Sequence, residues 1–519
     1  MVGMKLRHPY VPNGETPLMS QAYKIVPGVD EFTAAREHYS YVVQCLQSQE
    51  MRHLEHGAIE QFVWHEGTEL LRRLLQGHLD LRCRRETRRN SVVGCDGVGR
   101  SHLREGCKRG LMTLFGEVDV RRKGYGGRGV CSVYPLDAEL NLPADHYSHG
   151  LYRRTSEEVS RHSFDDAVEQ VEKTTGGKVP KRQAQTLAKE VSRDFEAFYE
   201  GRAVKEVEAT PDPLVMSVDG KGVVMRPSGL REATRRAAQR DTHKLKTRLC
   251  QGEKRNRKRM ATVATVYSVA QHPRTAEQIM GLQERDGPAP RPRDKRVWAS
   301  VEREMSQVIE EQFREALRRD PKNKRPWAVL LDGNETQLDL VEAEAKRRGV
   351  TVTITVDFIH VLEYVWKAAY CFHGSGTEEA EQWVGERALR ILHGKSSDVA
   401  GGMRRSATLQ GLSSKDRAAV DDCANYLLKY RDYLRYDENL RRGLPIATGV
   451  IEGACRHLVN DRMEITGARW GLPGAETILK LRSLRSSGDL DEYWEFHRAR
   501  ALDRNHASYY ENRELPKVA

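Results

Sequence analysis

Apolar residues recur at helical spacing through the first part of the chain. Between residues 30 and 89 they mostly follow one another at intervals of three and four, which predicts helices. From 90 to 135 short apolar runs such as 111–120 alternate with polar residues, and frequent glycines interrupt them. The pattern therefore predicts an irregular arm at 1–27, a helical region at 28–90 and a small β-rich module at 91–136.

Helical spacing returns near Asp137. Ser163 is followed three residues later by Asp166, which is typical of a capped helix start. A glycine-containing break at 174–180 then leads to a second helix. The first turns of that helix carry three polar or basic side chains: Lys181, Arg182 and Gln183. Two helices joined in this way predict a helix-turn-helix DNA-binding region at 137–205. An ordinary helical hairpin is the alternative.

The second half of the chain alternates strand-like apolar runs with helical segments. Its first run is interrupted by Asp219-Gly220, so it is predicted as two strands around a glycine-rich turn. A strand at 260–270 and a helix at 294–319 follow. The α/β units after them are a strand at 325–333, a helix at 336–348, a strand at 350–356 and a helix through 366. Hairpin strands followed by α/β units predict an RNase H-like fold.

A helical stretch without strand signals interrupts this predicted core. The predicted segments are a first part of the core at 206–371, a helical insertion at 372–440, the last core helices at 441–500 and a tail at 501–519. The predicted fold class is therefore an α/β RNase H-like catalytic core with an α-helical insertion. A mainly α N-terminal half precedes it, with the β-rich module and the helix-turn-helix.

Composition indicates a soluble protein that binds nucleic acid. The chain has 519 residues, a length sufficient for two to four domains with cores. Hydrophobic residues make up 39% of it and charged residues 31%, as in a soluble globular protein. Basic side chains outnumber acidic ones by 85 to 74, a net charge of +11. Because no run of about 18 apolar residues occurs, and 1–27 lacks the apolar region of a signal peptide, no membrane segment is expected. The expected location is the cytoplasm.

The densest basic tract lies between two predicted strands. Such a tract is usually a solvated loop, but here it would emerge near the edge of a sheet, where it suits contact with DNA phosphates. The candidate contacts are Arg235, Arg236, Arg240, Lys244, Lys246, Arg255, Arg257, Lys258 and Arg259.

Nine scattered cysteines, an odd number with no C-x-x-C pair, indicate reduced thiols. Four of them lie near one another in the sequence: Cys83, Cys95, Cys107 and Cys131. A zinc site there is conceivable, although the spacing matches no known zinc module.

Three carboxylates lie where strands end or on a late helix: Asp219, Asp332 and Glu452. An Asp before a Gly is ordinarily a turn residue. In an RNase H-like sheet, however, the strands that carry the two aspartates are neighbours, and a late helix would bring the glutamate over them. Clustered carboxylates are tolerated when divalent cations neutralise them. Two Mg²⁺ or Mn²⁺ ions about 3.5–4 Å apart can clamp an in-line phosphoryl transfer.

At these residues the sequence resembles bacterial insertion-sequence transposases of the DDE class, close to the ISKra-type group and its Mutator-like relatives. The motifs that carry the resemblance are Phe115-Gly116-Glu117-Val118, Pro135-Leu136-Asp137-Ala138, Ser217-Val218-Asp219-Gly220, Leu331-Asp332-Gly333, Asp357-x-x-His360, Gly449-x-Ile451-Glu452, Arg462-Met463 and Gly467-x-Arg469-Trp470-Gly471. The likeness implies that Asp219, Asp332 and Glu452 form the catalytic triad. It also implies that the protein binds terminal inverted repeats in double-stranded DNA, cleaves and transfers strands, and forms a homo-oligomer. The resemblance further implies a bacterial protein associated with the nucleoid.

Several assignments remain open at this point. Asp357 is the alternative to Asp332, and His360 either supports the site or is a capping or core histidine. Trp470 either stacks on a displaced DNA base or is a core aromatic. Two basic side chains near it, Arg462 and Arg469, are further candidate DNA contacts. An inactive transposase-derived DNA-binding protein and an RNase H-like nuclease are the alternative functions.

Overall fold

The structure is a computed structural model, and it describes residues 30–202, 210–240, 245, 248–250, 253–284 and 287–516. The predicted arm at 1–27 and two predicted DNA contacts, Lys244 and Lys246, lie outside the described residues. The described residues form a mixed α/β structure with a five-stranded mixed sheet. Among them, no helix combines the length and the apolar character needed to cross a membrane.

Helices and two small antiparallel sheets make up the described part of the first 134 residues. These elements are α1 (Thr33–Gln47), α2 (Gln49–Arg52), α3 (His56–Arg85), β1 (Val92–Val93), β2 (Gly99–Arg100), β3 (His102–Thr113), β4 (Gly116–Gly127) and β5 (Val130–Val133). Strands β1 and β2 form one sheet, and β3, β4 and β5 form the other in chain order. Helix α3 packs on β4, where the Gln76 amide and the Asp119 backbone exchange hydrogen bonds of 2.8 and 3.0 Å. Leu79 of the helix is buried in one apolar cluster with Val118 and Val120 of the strand.

The next helices pack on one another. They are α4 (Pro135–Glu139), α5 (His149–Arg161), α6 (Phe164–Thr174), α7 (Lys181–Val191) and α8 (Phe195–Gly201). The predicted cap at Ser163 is present, because its hydroxyl accepts the Asp166 N–H at 3.2 Å. Helices α5, α6 and α7 contact one another pairwise, and residues 175–180 join the last two.

Five strands form the central sheet in the spatial order β8–β7–β6–β9–β10. Their bounds are β6 (Leu214–Val224), β7 (Lys258–Ser268), β8 (Arg293–Ser300), β9 (Trp327–Leu331) and β10 (Thr353–Val356). The first three strands pair antiparallel, whereas β9 runs parallel to β6 and β10 runs parallel to β9. Helices in the connections are α9 (Glu232–Arg240), α10 (Ala276–Ile279), α11 (Met305–Arg319) and α12 (Glu335–Arg348). As predicted, α12 ends at Gly349, which has a left-handed φ of 65°.

The prediction of two strands around a turn at Asp219-Gly220 is wrong. Strand β6 runs unbroken through these residues and pairs with β7 along its whole length. The glycines serve close packing instead. A Cβ on Gly222 would lie 2.8 Å from Cδ of Lys258 on β7, and one on Gly220 would lie 3.2 Å from Cε of Met260. Asp219 therefore projects from the middle of a strand.

The prediction of one helix over 294–319 is also wrong at its start. Residues Arg293–Ser300 form β8, and the helix begins only at Met305. The charges of Arg293, Asp294 and Lys295 resemble a helix start. The segment is nevertheless a strand, because it pairs with β7 and the residues that follow are buried in the sheet. This strand completes the antiparallel half of the sheet.

The rest of the described chain is helical. Its helices are α13 (Phe358–Ala369), α14 (Glu378–Leu392), α15 (Ser396–Leu409), α16 (Ala418–Lys429), α17 (Tyr436–Arg441), α18 (Gly449–Ala454), α19 (Asp461–Met463), α20 (Leu472–Ser487) and α21 (Leu490–Asn505). A π-helical segment, Cys455–Asn460, joins α18 directly to α19. Helix α20 packs on β8, where the hydroxyls of Ser483 and Ser487 accept backbone N–H groups at 3.3 and 3.0 Å.

Buried polar pairs attach the C-terminal helix to the helices before the sheet. His497 Nδ1 lies 2.7 Å from the Asp194 carboxylate, and Tyr199 donates to the Asp489 carboxylate at 2.9 Å. Both pairs join residues about 300 positions apart, so the helices just before the central sheet pack against the C-terminal helix.

Candidate active site

Strand register places Asp219 and Asp332 at the same level of the sheet. Ser217 of β6 pairs with Leu330 of the parallel strand β9. Each aspartate lies two residues beyond one member of this pair. Because neighbouring parallel strands advance together, the two carboxylates lie side by side. The negative charge of Asp219 raises the pKa of Asp332, in addition to the larger effect of burial.

Asp357 extends this row to the next strand. Val356, the last residue of β10, pairs with Leu331, the last residue of β9. The aspartates that follow these two residues are therefore neighbours as well. Asp357 is fully buried and caps helix α13, where its Oδ1 accepts the Ile359 N–H at 2.8 Å.

Helix α18 lies across the row of aspartates. Thr448, Glu452 and Cys455 are spaced by four and three residues, so they share one face of the helix. The Thr448 hydroxyl donates to Asp357 Oδ2 and lies 3.5 Å from Glu452 Oε1. At the other end of this face, the Cys455 thiol donates to Asp219 Oδ2 at 3.2 Å. Glu452 is thus held between the two ends of the row.

The helix changes to π-helical geometry at Cys455, the residue that contacts Asp219. Such segments are rare and often occur at functional sites. Burial raises the pKa of the Cys455 thiol, and the nearby negative charge of Asp219 raises it further.

His360 forms an ion pair with Asp357 beneath Thr448. Its Nδ1 lies 3.3 Å from Asp357 Oδ2, and this hydrogen bond raises the pKa of His360 to about 8. Burial acts to raise the pKa of Asp357, but hydrogen bonds from His360, Thr448 and the Ile359 N–H outweigh it and leave the pKa below its usual range. Asp357 is therefore a buried carboxylate whose two oxygens both accept hydrogen bonds.

Within the described part of the chain, the carboxylate of Asp332 accepts hydrogen bonds at only one of its oxygens, unlike that of Asp357. Its Oδ1 accepts the Asn334 N–H at 2.9 Å and, with the Gln337 amide nitrogen turned towards it, a second hydrogen bond at 3.1 Å. Among the described residues Oδ2 accepts no hydrogen bond. Two tyrosine hydroxyls donate to the backbone at this strand end. Tyr426 donates to the Asp332 carbonyl at 3.1 Å, and Tyr430 donates to the Gly333 carbonyl. Residue 333 must be glycine, because at φ 86° a Cβ would lie 2.3 Å from the Tyr426 hydroxyl.

The side chains at the strand ends suit a hard divalent cation. Carboxylate oxygens are the ligands that Mg²⁺ and Mn²⁺ take. Among the described residues, one group of three carboxylate or histidine side chains has ligand atoms that all lie within 4.8 Å of one another, and it consists of Asp357, His360 and Glu452. In the same described part of the chain, Asp219 and Asp332 do not form such a group with Glu452. The four N-terminal cysteines are free thiols in the described part of the chain and form no such group.

Most of the predicted DNA contacts that the structure describes are exposed. Lys181, Arg182 and Gln183 lie exposed on the first turn of α7. Exposed side chains from the basic tract are Arg235, Arg236 and Arg240 on α9, Arg255, Arg257, and Lys258 at the start of β7. On α9, Arg235 and Arg236 both form ion pairs with Glu232.

Three further candidates have structural contacts or lie in the core. Arg259 donates to the carbonyls of Val301, Gly229 and Glu302. Trp470 is 6% exposed, and its indole N–H donates to the Met463 carbonyl at 2.9 Å. Arg462 is 2% exposed and lies over the Trp470 ring. Trp470 therefore occupies a core position, whereas Arg469 beside it is exposed.

Sequence reasoning missed the side chains that hold the carboxylates in place. Thr448 and Cys455 lie four residues before and three residues after Glu452, so helical spacing alone could have indicated them. Gln337 and Tyr426 reach the site from separate helices, α12 and α16, and the sequence carries no signal for their contacts.

No protein-family model matches the chain, and no curated protein matches it either. The geometry of the site is therefore the basis for an assignment of function.

Proposed function

We propose that the protein is a DNA transposase with an RNase H-like core, which cleaves and joins DNA strands at Asp219, Asp332 and Glu452. The observation that carries the proposal is the register of β6 and β9, which sets the two aspartates side by side, together with the α18 face across them. The strand order, three antiparallel strands followed by two parallel ones, supports the same core.

The second metal ligand in this proposal is Asp332 and not Asp357. Among the described residues Asp332 Oδ2 accepts no hydrogen bond, whereas both oxygens of the fully buried Asp357 accept hydrogen bonds, three in all. Asp357 and His360 then serve as positioning residues. Through the Thr448 hydroxyl they fix the start of α18 and so the place of Glu452.

When bound, two Mg²⁺ or Mn²⁺ ions supply the charge that stabilises the attacking and leaving oxygens of phosphoryl transfer. The protein contributes preorganised ligands. Cys455 holds one oxygen of Asp219 and the Gly220 N–H holds the other at 2.6 Å. Rigid strands and a helix carry all three carboxylates, which favours catalysis by positioning.

The proposed DNA surface consists of exposed basic side chains on α7, on α9 and before β7. Phosphate contact by such side chains is independent of sequence and weakens with salt. Base-specific contact with the terminal repeats would come from Gln183 and its neighbours on the first turn of α7.

A second copy of the chain is part of the proposal, because two element ends must be held together. Helix α3 offers an exposed apolar face for it. Val63, Trp64, Leu71 and Leu74 are 45, 59, 46 and 42% exposed, and they follow helical spacing. Contiguous exposed apolar surface of this kind marks an interface.

The test is cleavage of an oligonucleotide duplex that carries a terminal inverted repeat of the element. Asp219→Ala, Asp332→Ala and Glu452→Ala should each abolish Mg²⁺-dependent nicking and leave binding to the duplex intact. Glu379→Ala, which removes an exposed carboxylate on α14, is the matched control and should cut normally.

Two outcomes would replace the proposal. Binding without any metal-dependent nicking by the wild-type protein would indicate an inactive transposase-derived DNA-binding protein. Cutting that prefers an RNA–DNA hybrid and ignores the repeat sequence would indicate an RNase H-like nuclease.

A further inference from the structure

A basic pocket of about 630 Å³ lies beside the N-terminus of α7, between the end of β6 and residues 462–474. Its volume falls in the range of small-ligand sites. Six cationic side chains line it: Lys181, Arg182, Lys189, Arg226, Arg462 and Arg469. The one carboxylate among the lining residues, Asp165, is paired with Lys181 at 2.6 Å. The pocket therefore carries a large excess of positive charge.

Arg462 is a buried cation with an unused donor in this pocket. It is 2% exposed, and its guanidinium lies between the rings of Phe164 and Trp470, at 5.4 and 4.9 Å from their centroids. Its Nε donates to the Val159 carbonyl at 2.9 Å, but its buried Nη2 has no hydrogen-bond partner among the described residues. An unsatisfied buried donor on a charged group is costly, and because Arg462 lines the pocket, an anion there would offset its buried charge.

In the part of the chain that the structure describes, Arg462 forms no ion pair with a carboxylate. Burial and, to a smaller extent, the charge of nearby Arg482 lower the pKa of Arg462 to about 10, and Asp166 opposes both effects only in part. Arg482 is buried too, and its guanidinium donates to backbone carbonyls, among them Leu458 at 3.1 Å. Two buried arginines without a carboxylate contact favour a negatively charged ligand.

The positive end of a helix points to the same pocket. Helix α7 has 11 residues, and its N-cap, Pro180, offers no side-chain acceptor to the first N–H groups. Lys181 and Arg182 on its first turn line the pocket. Exposed N–H groups and the helix dipole both favour a phosphate there.

Strand β6 connects the pocket to the proposed active site. The N–H of Arg226, just beyond the strand, donates to the Trp470 carbonyl at 2.7 Å, and Met225 forms a β-bridge with Trp470. Arg226 lies seven residues after Asp219, which corresponds to about 23 Å along a strand. Phosphates of one DNA strand advance by about 3.4 Å per nucleotide, so this spacing matches roughly seven nucleotides.

We propose that this pocket binds a backbone phosphate of the DNA that the active site cleaves, with Arg462 as the buried cation that lines it and Arg226 and Arg469 as the exposed donors. The proposal rests on the proposed function for the identity of the nucleic acid. The pocket then fixes the register of the DNA on β6, about seven nucleotides from the cleaved bond.

The salt dependence of duplex binding tests the pocket. Arg226→Ala and Arg469→Ala remove exposed side chains, so the fold should be kept. Each should reduce the slope of log Kd against log salt by about one, and weaken binding about eightfold near 0.1 M salt, equally for repeat and unrelated duplexes. Arg405→Ala, an exposed arginine on α15, is the control and should change neither quantity.

Arg462→Lys keeps the charge but removes the planar donor group. It should weaken duplex binding as well, with the melting temperature of the variant measured alongside. Ethylation of phosphates about seven nucleotides from the cut should interfere with binding of the wild-type protein and not of Arg469→Ala. Wild-type salt slopes in both exposed-arginine variants would overturn the proposal.

A measurement with inorganic phosphate distinguishes a phosphate of the DNA backbone from a free small anion as the ligand of the pocket. Stabilisation of the wild-type protein by millimolar phosphate, with no change of DNA affinity in the variants, would show a small-anion site and overturn the assignment to DNA. Failure of the proposed function looks different. If the wild-type protein never nicks DNA but the arginine variants lose affinity, the phosphate pocket is supported and the transposase function is contradicted. If nicking depends on Asp219 and the arginine variants bind DNA normally, the transposase function is supported and the pocket is contradicted.

Discussion

Asp332 and Asp357 differ in how completely their oxygens are bonded, and this difference decides their proposed roles. Asp332→Asn should abolish nicking and leave thermal stability unchanged or slightly higher, because it removes a half-buried charge beside Asp219. Asp357→Asn should lower stability by about 1–3 kcal/mol, because the charged acceptor for His360 and Thr448 is lost. Thermal melting and duplex nicking of both variants check this. Normal nicking by Asp332→Asn would reverse the assignment.

At the scale of single residues, the sequence predicts the carboxylates but not their partners. Asp332 and Asp357 follow apolar runs that end in a turn or a helix cap, so their places at strand ends can be inferred from local pattern. The thiol of Cys455 and the hydroxyl of Thr448 reach the aspartates only after α18 has packed on the sheet. Such contacts depend on tertiary structure, which local pattern does not encode.

Among the elements, strand β8 shows what burial adds to local pattern. Arg296 on this strand is buried between Glu311 at 2.6 Å and Glu315 at 3.1 Å, with its guanidinium 3.6 Å from the Tyr199 ring centroid. A stretch of alternating charges was predicted as a helix because its sequence shows no apolar alternation before Val297. The carboxylates that make a buried arginine tolerable lie on α11, so the strand could not be predicted from its own residues.

Arg296→Ala should therefore destabilise the protein by about 1.5–3 kcal/mol, since it removes buried charge-assisted hydrogen bonds to Glu311 and Glu315. The loss is limited because Glu311 keeps its ion pair with Arg303, and Glu315 keeps those with Arg318 and Arg319. Arg293→Ala, on the same strand, is the matched control. Its partner Asp212 lies nearer the surface and Arg293 is 59% exposed, so the expected cost is below about 1 kcal/mol. Urea unfolding of both variants measures the difference. Equal stabilities would mean that β8 does not bury Arg296.

Across the whole molecule, the order of elements was more predictable than their assembly. The sequence predicts parallel strands after an antiparallel group, and the five-stranded mixed sheet agrees with that. The pairing of His497 with Asp194 joins distant parts of the chain, and neither residue carries a local signal for it. How the helices before the sheet pack against the C-terminal helix could therefore not be inferred.

The apolar face of α3 makes a prediction about assembly. Trp64→Asp places a charge in the middle of the proposed interface between two copies, so it should weaken self-association at least tenfold, or about 1.4 kcal/mol. Leu409→Asp changes a side chain that is 78% exposed on α15, and it should leave association unchanged. Light scattering across a concentration series distinguishes them. A monomeric wild-type protein, or equal effects of both variants, would contradict a role for this face.

The central claim is that Asp219 and Asp332 bind the catalytic ions directly, and metal rescue tests it most directly. A thiolate is a poor ligand for Mg²⁺ and a better one for softer ions such as Mn²⁺. Asp219→Cys and Asp332→Cys should therefore fail to nick a terminal-repeat duplex in Mg²⁺ and regain part of the activity in Mn²⁺. Asp357→Cys should not be rescued. Rescue of Asp357→Cys and not of Asp332→Cys, or nicking that persists in excess chelator, would contradict the account.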